Sequence, residues 1–361
     1  FLIIAFISPL LSGIADYLGN KKFFLKLFCY VGSVSCMSLY FFSIAKESII
    51  FSLITYLLAL IGFWGSLVFY NSYLPDIAHK EQQDKISAKG FSLGYIGSVI
   101  LLLICLAMVM MVEETQAIQM MKYSFLLVGI WWIGFSQYTY YYLPDNKNSN
   151  KMHKNLIFNG FRELLKVWHQ IKNILPLKRY LAAFFVYSMA VQTIMIIAAY
   201  FGEKEVQWGS DSKRTTGLII SILVIQLVAV FGAWITSKLV EKFGNIKVLM
   251  LLNFLWILIC TYAYFVVTPN DFYIAAFFVG LVMGGIQSLS RSTYSKFIPS
   301  DTKDTTSFFS FYDVAEKVGI VIGMLTYGYI ADITGKIQNA ILFLILFFIV
   351  GLLLLLRVPK N

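Results

Sequence analysis

Long apolar runs alternate with short polar segments along nearly the whole chain. Each run is long enough to cross the roughly 30 Å hydrocarbon core of a bilayer as a helix. The runs lie at residues 1–17, 23–43, 49–72, 92–112, 121–142, 180–200, 215–238, 246–267, 272–291, 306–331 and 338–356. They are continuous rather than alternating, which favours helices over the strands of a membrane barrel. The pattern predicts an all-α polytopic membrane protein with 11 transmembrane helices.

Composition supports a lipid environment and argues against metal or disulfide chemistry. The 361 residues are 59% hydrophobic and 13% charged, whereas soluble domains carry about 25% charged residues. The four cysteines all lie inside apolar runs, at Cys29, Cys36, Cys105 and Cys260. The three histidines are isolated in polar segments, at His79, His153 and His169. Buried free thiols are therefore expected, and neither a metal nor another cofactor is predicted.

Basic residues are distributed unevenly across the predicted membrane. Of 29 lysines and arginines, 22 lie on the side that carries Lys21 and Lys22, 6 lie on the other side, and Lys317 lies within a span. This bias follows the positive-inside rule, so the basic side, with the C-terminus, is expected to be cytoplasmic. The net charge of +10 then reflects topology, and no nucleic-acid partner is predicted.

Two cytoplasmic loops share a sequence motif at an offset of 225 residues. The segments are SGIADYLGNKK (Ser12–Lys22) and SKLVEKFGNIK (Ser237–Lys247). This match predicts two homologous bundles related by an axis along the membrane normal, as in transporters with parallel repeats. The bundles are residues 1–143 and 179–361, joined by a cytoplasmic linker at 144–178. By this symmetry a further helix is expected before Phe1, which would give six helices in each half and twelve in all.

The two loops are predicted to gate the cytoplasmic side. A glycine in each suits a positive φ at the turn. An acid at a helix end can pair with basic groups or with the positive N-terminus of a neighbouring helix. The gating residues are predicted to be Asp16, Gly19, Lys21, Lys22, Glu241, Gly244, Lys247 and Arg291. A solvated turn with topogenic lysines is the alternative interpretation.

The linker contains a helical pattern with one apolar face. Its apolar positions are Ile157, Phe161, Leu164, Leu165, Trp168, Ile171 and Leu175, with Arg162, Lys166 and Lys172 on other faces. Such a pattern indicates an amphipathic helix on the inner membrane surface. A binding site for a soluble partner is the alternative.

Charged residues near the middle of a predicted span are candidates for transport chemistry. Lys317 lies about 16 Å into its span at 1.5 Å per residue, close to Asp313 and Glu316. These residues either form a structural ion pair or bind a solute carboxylate or exchange a proton, because intramembrane charges are usually functional. Gln287, one turn from Arg291, is a further candidate for contact with a polar solute.

Four segments resemble the major facilitator superfamily, and within it the vacuole effluxer branch. They are FYNSYLPDIA (Phe69–Ala78), ISAKGFSLGYIGS (Ile86–Ser98), GGIQSLSRS (Gly284–Ser292) and FFSFYDVAEKVG (Phe308–Gly319). The branch contains autophagy-related exporters of vacuolar amino acids and bacterial relatives, so the resemblance implies a multi-pass protein of a bacterial cytoplasmic membrane. It also implies that the first and fourth helices of each half line the cavity. Tyr187, Gln192 and Thr193 are candidates on that ground.

The sequence therefore predicts a secondary transporter that moves a small polar metabolite by alternating access. Amino acids are the first candidates by resemblance, in the direction of efflux, with a coupling ion such as H⁺ and a monomeric protein in the lipid bilayer. No phosphate-binding glycine loop is present, which argues against ATP drive. The alternatives are a lipid or lipophilic-solute facilitator, a non-transporting sensor or scaffold, and a membrane enzyme built on His79, Glu81 and Asp84.

Overall fold

The computed structural model describes residues 1–42, 49–145 and 156–359. Within these ranges all regular structure is helical. The helices are α1 (Leu2–Leu18), α2 (Lys21–Ser38), α3 (Ile49–Asn71), α4 (Leu74–Ile77), α5 (Gln83–Met110), α6 (Glu114–Tyr142), α7 (Leu156–Asn173), α8 (Leu175–Glu205), α9 (Asp211–Phe243), α10 (Asn245–Ala263), α11 (Pro269–Phe297), α12 (Thr305–Thr334) and α13 (Ile337–Leu356), with a 3₁₀ turn at Leu39–Phe41. The predicted topogenic residues Lys46, Lys147, Lys151, Lys154 and Lys360, and His153, lie outside the described residues.

Each predicted membrane span corresponds to a helix, but the helices differ in how well they suit a bilayer. Among the described residues, nine helices are long and apolar enough to cross a membrane. The other two are α1, which has 17 residues, and α12, which carries Asp313, Glu316 and Lys317 in its first half. The all-helical membrane class is confirmed, and the count of eleven spans stays a prediction.

The described residues form two compact units that interleave along the chain. Unit 1 comprises Phe1–Ile77, Ile100–His169 and Ser300–Val314, and unit 2 comprises Ala78–Val99, Gln170–Pro299 and Ala315–Asn361. Helices α5, α7 and α12 each contribute residues to both units. The division into bundles at 1–143 and 179–361 stays a prediction.

The core of unit 1 contains stacked aromatic rings, and glycines allow its helices to pack closely. Phe69 stacks on Phe24 and on Phe28 with ring centroids 5.5 and 5.8 Å apart. Helices α2 and α3 cross where Gly32 meets Gly62, since a Cβ on Gly62 would lie 2.3 Å from the Cα of Gly32. Close backbone approach through small residues is typical of helix packing in membranes.

In unit 2, glycines likewise allow the backbones of α9 and α11 to approach closely. A Cβ on Gly232 would lie 2.1 Å from the carbonyl oxygen of Leu281, and one on Gly284 would lie 2.1 Å from that of Ala229. These helices therefore cross with their backbones in contact. The contact holds α11 in a defined register, and α11 carries Gln287 and Arg291.

Candidate functional site

The turn between α1 and α2 is built from Gly19 and Asn20. Gly19 has φ 64° and ψ 31°, the left-handed conformation that ends α1. The N–H of Asn20 donates to the carbonyl of Ala15 at 3.0 Å, and the Asn20 side chain accepts from the N–H of Phe23, capping α2. The turn thus ends one helix and starts the next within two residues.

This turn positions Asp16 against the first turn of α12 within unit 1. One carboxylate oxygen accepts from the N–H of Ser307 at 2.6 Å, and the other accepts from the N–H of Thr306 at 3.2 Å. These N–H groups have no acceptor within a helix. The helix dipole adds to the attraction, so the carboxylate and the helix end stabilise each other.

Lys21 is buried next to this contact. Its Nζ lies 2.5 Å from a carboxylate oxygen of Asp76 and donates to the carbonyl of Ser72 and the hydroxyl of Thr305, each at 3.0 Å. The ammonium also lies 4.3 Å from the ring centre of Tyr73. Asp76 was not predicted as a partner, although it lies within the segment Phe69–Ala78 that carries the resemblance.

Lys22 points to another part of unit 1. Its Nζ lies 2.9 Å from a carboxylate oxygen of Asp145 and donates to the carbonyl of Leu143. The hydrogen bond from Lys22 holds the pKa of Asp145 below its usual range. The two adjacent lysines therefore tie α2 to two separate segments, one after α3 and one after α6.

The second copy of the motif is organised differently. The Glu241 side chain is 59% exposed and lies 3.2 Å from the Nζ of Lys238. Gly244 has φ 80° and ψ 160° rather than the left-handed helical geometry of Gly19. Lys247 is exposed.

In unit 2 a polar cluster forms around Asn245 instead. The Asn245 amide donates to Asp84 at 2.8 Å and to the Thr293 hydroxyl at 3.0 Å. Lys296 forms an ion pair with Asp84 and donates to Asn245. Asp84, which the sequence suggested only for an enzymatic site with His79, here joins α5 to α10 and α11.

Arg291 and Gln287 connect α11 to α5 within unit 2. The guanidinium of Arg291, 6% exposed, donates to the hydroxyl and carbonyl of Ser87 at 3.0 and 3.2 Å. It also lies 4.6 Å from the ring centre of Phe91. Tyr95 donates to the Gln287 amide oxygen at 2.6 Å. Neither Ser87 nor Tyr95 was predicted, although both belong to the segment Ile86–Ser98.

The charged group of α12 is the most deeply buried ionic cluster predicted from the sequence. Lys317 is fully buried, and its Nζ lies 3.1 Å from a carboxylate oxygen of Glu316. The other oxygen of Glu316 accepts from the Gln192 side chain at 2.7 Å. Three predicted candidates from α8 and α12 are therefore brought together in unit 2.

The remaining candidates have other partners. Asp313, 2% exposed, accepts from the hydroxyl of Ser8 at 3.3 Å within unit 1. The Tyr187 hydroxyl shares a hydrogen bond of 2.8 Å with Ser290. Thr193 packs against Gly323, where an added Cβ would lie 2.2 Å from the threonine hydroxyl. Among the described residues, no group of three metal-ligating side chains is positioned to bind an ion.

The fold is that of major facilitator transporters. The structural match to the E. coli fucose:proton symporter FucP covers 98% of this chain and 88% of the FucP chain, with a TM-score of 0.69 at 16% identity. The match to the proton:xylose symporter XylE covers 99% of this chain and 84% of the XylE chain, with a TM-score of 0.69 at 12% identity. With the family match over residues 1–361 and the similarity to a bacterial MFS-type transporter, this fold shows that the protein is a multi-pass membrane transporter of this class, and not an enzyme.

The family is more specific than the class. The chain belongs to the family described as vacuole effluxer Atg22 like, whose model matches residues 1–361. It is 33% identical to the MFS-type transporter YxiO of Bacillus subtilis, over 99% of this chain and 82% of that protein. It is 26% identical to autophagy-related protein 22-1 of Aspergillus niger and 24% identical to autophagy-related protein 22 of Vanderwaltozyma polyspora, over 77% and 76% of this chain. The chain spans only 47% and 55% of those two fungal relatives.

Proposed function

We propose that the protein is a secondary transporter that exports a small polar or zwitterionic metabolite, with amino acids as the first candidates. It would act as a monomer, with eleven spans in this chain, in a bacterial cytoplasmic membrane. The bundles 1–143 and 179–361 would rock about a midplane site, with the linker 144–178 and the C-terminus in the cytoplasm. The vacuole effluxer family and the bacterial relative support this proposal.

The buried group of Gln192, Glu316 and Lys317 carries the proposal. Lys317 is the thirteenth residue of α12, about 18 Å from its start at 1.5 Å per residue. A charge at such a depth costs at least about 2.5–3.5 kcal/mol. A zwitterion would replace the ion pair between Glu316 and Lys317, because Glu316 can accept from an ammonium while Lys317 binds a carboxylate.

Proton coupling is part of the proposal and uses the acids of the same helix. Asp313 and Glu316 lie within one turn of each other, and each accepts a hydrogen bond from a neutral polar side chain. A carboxyl group that binds solute or loses its ionic partner in one state changes its proton affinity. The fold relatives FucP and XylE are described as proton symporters.

The contact of Asp16 with α12 supports a role for the first motif as a cytoplasmic latch. Opening toward the cytoplasm would separate the carboxylate from the N–H groups of Thr306 and Ser307. Lys21 would take part through Thr305, the first residue of α12. The second motif contributes through Asn245 and the Asp84–Lys296 ion pair, while Arg291 holds α11 on α5.

The test is amino-acid counterflow by the full-length protein in proteoliposomes. We expect exchange of labelled amino acids by the wild type, with at least a tenfold loss in Lys317→Ala and in Glu316→Gln at equal folded protein. Lys336→Ala is the matched control, because that lysine is exposed in the turn before α13. Normal exchange in Lys317→Ala would refute the role of this group. Exchange of no amino acid would refute the solute class.

One observation favours a lipophilic solute as the second candidate. A cavity among α8, α9, α10, α11 and α13 of unit 2 is lined by apolar side chains, including Ile194, Phe201, Ile225, Cys260, Phe272 and Ile341. A cavity of this kind favours an acyl chain over a polar solute. Movement of labelled lipid between leaflets, blocked by Ala276→Trp but not by Lys317→Ala, would favour this function. No flux of either kind, in folded protein, would favour a sensor or scaffold.

A further inference from the structure

Helix α7 of the linker presents three different faces, spaced by the 100° per residue of an α-helix. One edge consists of Gly160, Leu164 and Val167, of which Gly160 and Val167 are buried. A second face, beside it, consists of apolar side chains that remain exposed, at Ile157, Phe158, Phe161, Leu165 and Trp168. The third face is polar and includes Arg162, Lys166 and Asn173.

The buried edge is fixed to unit 1. A Cβ on Gly160 would lie 2.6 Å from a side-chain carbon of Ile14, and one on Gly13 would lie 2.1 Å from the Gly160 carbonyl. Two backbones that approach this closely cannot rotate about each other without a clash. The orientation of α7 about its own axis is therefore set by its contact with α1.

Two side-chain contacts add to this constraint from the start of α12. The Nζ of Lys166 lies 2.8 Å from a carboxylate oxygen of Asp304, immediately before α12. That hydrogen bond raises the pKa of Lys166 and keeps it charged. The indole of Trp168 stacks on Phe311, with ring centroids 5.3 Å apart. Apart from Trp168, the apolar side chains of the second face remain exposed.

That second face is large and apolar. Ile157 and Phe158 are each 67% exposed, Phe161 is 50% exposed and Leu165 is 42% exposed. Together they form an apolar stripe about two turns long. Exposure of four large apolar side chains on one short helix indicates a surface that binds something apolar.

Basic side chains border the same stripe. Arg162 follows Phe158 by four residues and so lies beside the stripe, whereas Lys172 follows Leu165 by seven residues and so lies beyond the C-terminal end of the stripe. Both are exposed. An apolar stripe flanked by cations is the arrangement by which a helix lies in the headgroup region of a membrane that contains anionic lipids.

We propose that the exposed stripe of α7, with Arg162 and Lys172, is a binding surface for anionic phospholipid in the leaflet next to the linker. The apolar side chains enter the acyl boundary, and the two cations contact the phosphate groups. Because α7 is tied to Asp304 and Phe311, bound lipid would act on the segment that leads into α12. The inference does not depend on which solute the protein moves.

The test measures the depth of α7 in bilayers of defined charge. The four cysteines are replaced by serine or alanine, and a nitroxide is attached to Phe158→Cys or, as the matched control, to Asn173→Cys on the polar face. The protein is reconstituted in nanodiscs of phosphatidylcholine with increasing phosphatidylglycerol. Accessibility to oxygen, which enters lipid, is compared with accessibility to a water-soluble nickel complex.

We expect the label at position 158 to be accessible to oxygen and protected from nickel once phosphatidylglycerol is present, and the label at 173 to show the opposite. In Arg162→Gln/Lys172→Gln the transition should require much more phosphatidylglycerol, since each cation near an anionic surface contributes about a fivefold preference. The Lys166–Asp304 contact is untouched in that variant.

Three results would overturn the proposal. Free collision of the 158 label with nickel in all lipids would show that the stripe faces water. Protection from both reagents would show that protein covers it, as a soluble partner or another segment would. Lipid burial that is independent of phosphatidylglycerol and unchanged in the double variant would show apolar anchoring without selection for anionic lipid.

Discussion

The loops at Ser12–Lys22 and Ser237–Lys247 have matching sequences but different structures. In the first, Asp16 is hydrogen-bonded to two backbone N–H groups of α12 and Lys21 is 1% exposed. In the second, Glu241 and Lys247 face solvent, and Glu241 pairs only three residues away, with Lys238. The motif therefore specifies a sharp turn between two helices in both places, but it specifies the partners of the acid in neither.

The difference follows from what lies next to each turn in its own unit. The start of α12 adjoins the first turn, and its unpaired N–H groups attract a carboxylate. At the second turn the acid in contact is Asp84, which comes from α5 and meets Asn245 and Lys296. An additional acid at Glu241 would repel Asp84 if it were directed inward. The asparagine common to both motifs caps its own helix in the first and joins three helices in the second.

The largest difference in stability between the two loops is expected when Lys21 and Lys247 are each replaced by methionine. We expect Lys21→Met to cost about 3 kcal/mol of unfolding free energy, because the buried ammonium contacts Asp76, Ser72 and Thr305, and hydrogen bonds to charged groups contribute about 1.5–3 kcal/mol. Lys247→Met should change stability by less than about 0.5 kcal/mol, as an exposed side chain. Unfolding by sodium dodecyl sulfate titration in mixed micelles measures both.

The control for this experiment is Lys21→Met/Asp76→Asn. Removing the second charge should recover part of the loss, since the Asp76 carboxylate, whose side chain is 22% exposed, is then no longer left without its cation. Equal stability of Lys21→Met and Lys247→Met would contradict the assignment of Lys21 to a buried position with three polar partners.

The second test compares the two acids. Asp16→Ala removes the acceptor of two N–H groups at a helix end, and hydrogen bonds to charged groups contribute about 1.5–3 kcal/mol. We expect a loss of about 2 kcal/mol, measured in the same titration. Glu241→Ala removes an exposed pair worth about 0.3–0.5 kcal/mol. If both variants lose the same stability, the two motifs are equivalent after all.

The third test compares the two glycines and has the smallest expected effect. Asparagine tolerates the left-handed helical conformation of Gly19, whereas the φ 80°, ψ 160° region of Gly244 is adopted almost only by glycine. We expect Gly244→Asn to cost about 1 kcal/mol more than Gly19→Asn. The reverse order would show that the turn geometries are not as described.

Part of the candidate site could be predicted because a charged residue is rare within an apolar membrane span and is therefore easy to recognise in the sequence. Lys317 and Glu316 stood out within an apolar run, and Gln192 was selected through the family resemblance. Their direct contact required the packing of α8 on α12. Asp76, Asp84 and Ser87 were missed as partners because each lies near a helix end, where a polar residue is ordinary. Tyr95 lies within α5 and was missed because interfacial belts account for most aromatic residues of a membrane protein.

The sequence by itself determined the helical membrane class, the superfamily and the site of each turn. Those follow from local properties: the length of apolar runs, the conformational freedom of glycine and the cost of charge in lipid. Only the tertiary structure decided that Asp16 meets the start of α12, that Glu241 faces water and that α7 keeps one apolar face exposed. These outcomes depend on which helix end or backbone lies within about 3 Å of a side chain, and contacts between distant segments are not encoded in any single stretch of sequence.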